Sequence, residues 1–230
     1  MRYRLAVEDM EPDRWIAWVI DLPGCFSPGL TESEAIAEAR ACVEAYFSWL
    51  KSRDDGLPTA GERFDTRVVE TFHSFPSPER PDYIVNALFE DDRRPLSYWD
   101  VWAALRLLKW TREDLLAAIR GTTEERLNAP LPREIGGSVA GVLRHVAGAE
   151  NWYLWQMEMA VPREKLPEDT LAMLAAVRAN TRTRLPELAG DDRVVKGDGG
   201  ELWSGRKVVR RALWHERAHT RHVRRLLGLP

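Results

Sequence analysis

Four of the five histidines fall between residues 145 and 222, and three of them are spaced to share a ligand. His215 and His219 stand four residues apart, so on a helix both project from one face. Val208, Ala212, Val223 and Leu226 extend that face as an apolar stripe, with His222 beside Val223. His145 interrupts a second stripe formed by Val142, Val146, Ala149, Trp152 and Tyr153. Imidazoles on core faces are costly to bury with unpaired nitrogens. Hydrogen-bonding neighbours relieve that cost, and so does a shared divalent ion that takes the neutral ring as ligand. Three imidazoles on one ion leave a coordination position open, the arrangement of catalytic rather than structural sites. Zn²⁺ and Ni²⁺ both accept imidazole, so spacing does not choose between them. Glu150 and Glu216 lie close in sequence. Each either orients a ligand ring through its second nitrogen or is an exposed helix charge. Trp152 and Trp214 either line a pocket or fill core. Neither Cys25 nor Cys42 falls in this region, so the chain places no thiol of its own beside the histidines, and Cys25 reads as a small hydrophobe. His73 stands apart and receives no role.

The elements that must position these residues are helical. Periodicity predicts four helices over about 97–121, 138–160, 168–188 and 205–227, with Ser97 and Ser138 as N-caps and Gly228 past the last end. Four amphipathic helices of this length imply an all-α up-down four-helix bundle over 96–230. Its third connection contains VVKGDGGELW, which has the composition of a small hairpin. Residues 1–75 read instead as an α+β domain. Tyr3–Val7, Trp15–Ile20 and Thr66–Phe72 have strand character, and Glu11-Pro12-Asp13 reads as a turn. Thr31 with Glu34 forms a capping box before Ala35, Ala39, Val43, Tyr46 and Phe47 at helical spacing. Residues 76–95, punctuated by Pro76, Pro78, Pro81 and Pro95, read as a linker in which 82–89 could hold a short element.

The balance of 33 Lys and Arg against 36 Asp and Glu hides an asymmetry. Residues 1–94 hold 11 basic and 19 acidic side chains, and residues 95–230 hold 22 and 17. This supports two units of different character, and it argues against nucleic-acid binding by the whole chain. The basic residues of the last helix, Arg206 to Arg225, read as a solvated outer face. Two cysteines make no disulfide framework. The N-terminus lacks the apolar run of a signal peptide, and no stretch approaches 18 apolar residues, so a cytoplasmic protein without membrane spans is expected.

Residues 138–155, SVAGVLRHVAGAENWYLW, and 214–226, WHERAHTRHVRRL, resemble the DinB-like metal-binding superfamily of bacterial four-helix bundles. The resemblance covers about residues 96–230. It implies that His145, His215 and His219 bind a divalent ion. Two departures stand out: many members carry a second histidine where this chain has Ala218, and His222 occupies a position that often holds Gln or His. His222 is therefore left outside the ligand set. The superfamily includes thiol-dependent transferases and isomerases, so the resemblance implies a low-molecular-weight thiol and an electrophile as small-molecule partners, and a homodimer. Residues 3–72, with DLPGC, Gly29 and the EAI helix start, resemble the HicB-like fold, a β-β-β-α-β unit known from antitoxins. No helix-turn-helix follows it, so the unit reads as a scaffold, an oligomerisation module or a cover. Three function classes follow: a metal-dependent thiol transferase, a non-catalytic interaction protein of antitoxin type, and a metal-dependent hydrolase using bound water.

Overall fold

In a computed structural model, which describes residues 1–11, 14–54 and 63–229, the chain divides into two units. The first comprises Met1–Arg94 with Lys196–Trp203, and the second the remainder. No described helix is long and apolar enough to cross a membrane.

The first unit is rich in strands. It contains β1 (Arg2–Glu11), β2 (Arg14–Val19), β3 (Phe26–Gly29), α1 (Glu32–Arg53) and β4 (Asp65–His73). The sheet order is β3-β2-β1-β4, with β1 antiparallel to β2 and parallel to β4. The expected turn at Glu11-Pro12-Asp13 falls largely on residues outside the described ones. Central β1 is buried on both faces, which is why Leu5, Ala6 and Val7 run without polar alternation. One face packs Val7 and Ala17 against Ala35 of α1. On the other, the buried Glu8 carboxylate accepts hydrogen bonds from Trp18 Nε1 at 3.1 Å and the Ala87 amide at 2.6 Å. His73 pairs through Nδ1 with Asp9 at 2.8 Å.

Thr31 caps α1 by accepting from the Glu34 amide. The Glu34 carboxylate reaches back to the Leu30 amide at 2.8 Å, one residue beyond the predicted box. Gly29 is required by close approach: a Cβ there would lie 2.4 Å from the Ala35 nitrogen.

Residues 76–94 hold β6 (Ile84–Val85), paired with β5 (Phe75–Pro76), and belong to the first unit. The predicted hairpin is present as β7 (Val195–Lys196) and β8 (Leu202–Trp203). Its residues 196–203 are part of the first unit, not of the helical one. Glu201 explains the docking: its buried carboxylate accepts from Tyr83 Oη at 2.7 Å and the Asn86 amide at 3.0 Å. Ser77 Oγ donates to the Gly199 carbonyl, and Arg80 pairs with Asp198 at 2.8 Å.

The second unit is helical. Its long helices are α2 (Tyr98–Ile119), α4 (Val139–Trp155), α5 (Thr170–Arg184) and α6 (Gly205–Leu226), with a short α3 (Glu124–Asn128) between the first two. α6 packs on α2 and α4, and α4 on α5. Val142, Leu143, Val146, Leu174, Val177 and Val223 form part of their shared core. Two helices end earlier than periodicity predicts. α4 stops at Trp155 because Glu158 takes φ 61° and the Asn151 side chain ties down both the N–H and the C=O of Val161. α5 stops at Arg184, just before Pro186, which sits in a 3₁₀ turn over Leu185–Leu188.

The start of α4 is fixed by the approach of two glycines. A Cβ on Gly141 would lie 2.1 Å from the Gly136 carbonyl oxygen, and Gly136 itself has φ 69°. Gly141→Ala is therefore expected to destabilise the protein by about 1–3 kcal/mol, read as a lower urea midpoint. An unchanged midpoint would show that the loop yields freely.

Candidate metal centre

His145 projects from α4, and His215 and His219 from α6. The i, i+4 spacing on α6 sets the latter two rings 4.4 Å apart, centroid to centroid. His145 meets them from across the helix pair, at 4.8 Å from His215 and 4.9 Å from His219. Nε2 of His145 and Nε2 of His215 are 3.0 Å apart. One nitrogen from each of the three rings lies within 4.8 Å of the others, the one group of three or more metal-ligating side chains found among the described residues.

This donor set fits a divalent ion. A tetrahedral ion with bonds of about 2.0–2.1 Å to nitrogen holds its ligands roughly 3.3 Å apart. One pair, His145 Nε2 and His215 Nε2 at 3.0 Å, already has about that separation. Burial lowers the His145 pKa, which favours the neutral ring a metal takes. His215 is buried, while His145 and His219 are partly exposed, so the cluster is open on one side. Tyr153 and Trp214 set ring edges against His215, at centroid distances of 6.0 and 5.8 Å. Trp214 is itself buried.

His222 sits next to the cluster, its ring 5.8 Å from that of His219. Its Nε2 is engaged by Glu134 Oε2 at 2.7 Å, so that nitrogen already has a partner outside the three-ring set.

Glu150 and Glu216 are neither imidazole orienters nor exposed charges. Both are buried, and both bind arginines that spacing arguments had not singled out. Arg112 of α2 donates from Nε to Glu216 at 2.6 Å and from Nη2 to Glu150 at 2.9 Å. Arg178 of α5 donates to Glu150 at 2.7 Å and to Glu216 at 2.8 Å. Thr181 donates to Glu150, and Thr111 donates to Glu216. Each long helix thus contributes one charge to a neutral buried square. Burial alone raises the Glu150 pKa, but Arg178 and Arg112 reverse that and hold it at about 2. A signal was available: Arg112 lies between Leu108 and Leu115, and Arg178 between Leu174 and Leu185, on stripes that are otherwise mostly apolar.

The solvated-face reading of α6 also needs correction. Lys207, Arg210 and Arg211 are buried, and the Arg211 guanidinium lies 4.7 Å above the Trp214 ring.

The chain is 31% identical over 58 residues to UPF0150 protein Ta0767 of Thermoplasma acidophilum, a match covering 25% of this chain and 84% of that one. It is 30% identical over 91 residues to an uncharacterized 14.9 kDa protein in the rep-hol intergenic region of Haemophilus phage HP1, covering 40% of this chain and 62% of that protein. No solved structure matches the chain significantly. The family model of the DinB superfamily matches residues 107–223, about half of the chain and the part that contains all three clustered histidines, and the chain belongs to the DinB superfamily.

Proposed function

We propose that His145, His215 and His219 hold one divalent ion, Zn²⁺ or Ni²⁺, and that the protein is a thiol-dependent transferase acting on a low-molecular-weight thiol and an electrophile. The observation that supports the ion is the convergence of three imidazoles from α4 and α6, two of their Nε2 atoms 3.0 Å apart. A bound divalent ion stabilises a thiolate and so raises the population of the nucleophile at neutral pH. The chain's own residues supply the rest. The partly exposed His145 and His219 leave an approach for a small molecule. The Tyr153 and Trp214 edges hold His215 from behind and keep water off it. The neutral Arg–Glu square fixes α6 against α2, α4 and α5, so the His215–His219 face keeps its aim.

The finer architecture belongs to the same reading. The four long helices form an up-down bundle, supported by the packing of α6 on α2 and α4 and of α4 on α5. The first unit is HicB-like, supported by its β-β-β-α-β order. That order also favours a second reading, in which the protein is an interaction module without catalysis.

The test has two stages. Protein refilled with Zn²⁺ or Ni²⁺ and desalted is expected to retain about one equivalent per chain by elemental analysis. Retention of neither ion removes the site and leaves the interaction reading. Co²⁺-substituted protein is then titrated with glutathione, bacillithiol and mycothiol. A thiolate-to-metal charge-transfer band with one of them supports the transferase, and a blank with all three rejects it while the metal site stands.

A further inference from the structure

The helical unit has a cleft that none of the three clustered histidines lines. The cleft, of about 610 Å³, opens between α2 and α5. Its lining is chemically one-sided. Trp102 and Leu105 supply the apolar wall, and Arg106, Lys109 and Arg182 supply three cations, with Thr183 at the edge. No carboxylate lines it.

The wall is already ordered. Trp102 is half exposed, yet Trp99 sets its ring edge-on against it at 5.6 Å and 85°. The Arg106 guanidinium lies 4.6 Å above the Trp102 ring and 4.7 Å above that of Trp110, so two indoles fix its plane. Lys109 pairs with Glu113 at 3.1 Å, but both are well exposed, and a surface pair of this kind is weak and exchangeable. Arg182, in the last turn of α5, is exposed.

We propose that this cleft binds a small organic anion with a flat aromatic body and a carboxylate. The volume falls in the usual range for small-molecule sites, roughly 300–1,000 Å³. An uncharged apolar ligand would desolvate the Arg182 guanidinium without pairing it, which is unfavourable. A simple inorganic anion would leave the indole wall wet. An aromatic carboxylate meets both needs, with its ring on Trp102 and Leu105 and its carboxylate on the guanidinium fork of Arg182.

The probe is 2-naphthoate, titrated into the full-length protein by calorimetry. Saturable binding is expected at one molecule per chain. Arg182→Glu reverses an exposed charge and is expected to weaken binding at least tenfold, as is replacing the probe by uncharged 2-naphthylmethanol. Inorganic phosphate is expected not to compete. Because a carboxylate can also ligate a metal, the titration is repeated after EDTA treatment, with unchanged affinity expected. The proposal is overturned by no saturable binding, by equal affinity of the uncharged analogue, by indifference to Arg182→Glu, or by loss of binding with EDTA.

Discussion

Replacing Glu150 by Gln is expected to destabilise the protein by about 3–5 kcal/mol, because it leaves two buried guanidiniums facing one carboxylate. Gln nearly preserves volume, so a cavity does not confound the result. Arg112 and Arg178 are each under 9% exposed, and neither can turn to water without opening the helix contacts. The double variant Arg112→Met/Glu150→Gln removes one charge of each sign. It is expected to lose less than the two single losses combined, since the pair acts as a unit. The acid limb of the stability profile gives a second readout. The Glu150 pKa is lowered from 4.5 to about 2 on folding, so its contribution is fully present above about pH 4.5 and is lost as pH falls through about 2. That shift corresponds to about 3 kcal/mol. Glu150→Gln is expected to flatten this limb while lowering stability at pH 7. A loss under about 1 kcal/mol in urea unfolding at pH 7 would mean that the square contributes no net stability.

The square also marks where sequence reading stops. The histidine set was legible because it depends on local facts: an i, i+4 pair on one helix face and one more ring on another core stripe. Strands β1, β2 and β4 and helix α1 of the first unit were legible for the same reason, with strand runs, a capping threonine and breakers all close in sequence, whereas the short β3 carries no such run. What escaped depends on long-range pairing. Arg112 meets Glu216 across 104 residues, and Glu201 meets Tyr83 across 118. Nothing in the periodicity of α2 says which carboxylate will neutralise its arginine. The same holds for residues 196–203, legible as a hairpin but not as part of the first unit. Helix ends were misjudged where a side chain intervened. Asn151 captures Val161 ten residues away, and no periodic pattern encodes that contact.

The largest functional effect expected is the loss of metal binding on His215→Ala. His215 is the buried member of the set, it supplies an Nε2 atom already 3.0 Å from that of His145, and both remaining rings are partly exposed. Removing residues that merely orient a ligand typically costs 10–100-fold in metal affinity, so removing a ligand itself is expected to cost more than about 100-fold. Thermal unfolding separates this from general damage. At a free metal concentration 100 times the dissociation constant, the folded wild type gains about 2.7 kcal/mol, which corresponds to a rise in Tm of roughly 5–10 °C. His215→Ala is expected to show no such rise, while its metal-free Tm stays near that of the metal-free wild type. His145→Ala and His219→Ala are expected to behave alike. His222→Ala is expected to keep most of the wild-type shift, because its Nε2 faces Glu134. A metal-induced shift that survives in His215→Ala but vanishes in His222→Ala would reassign the ligand set to the outer histidine.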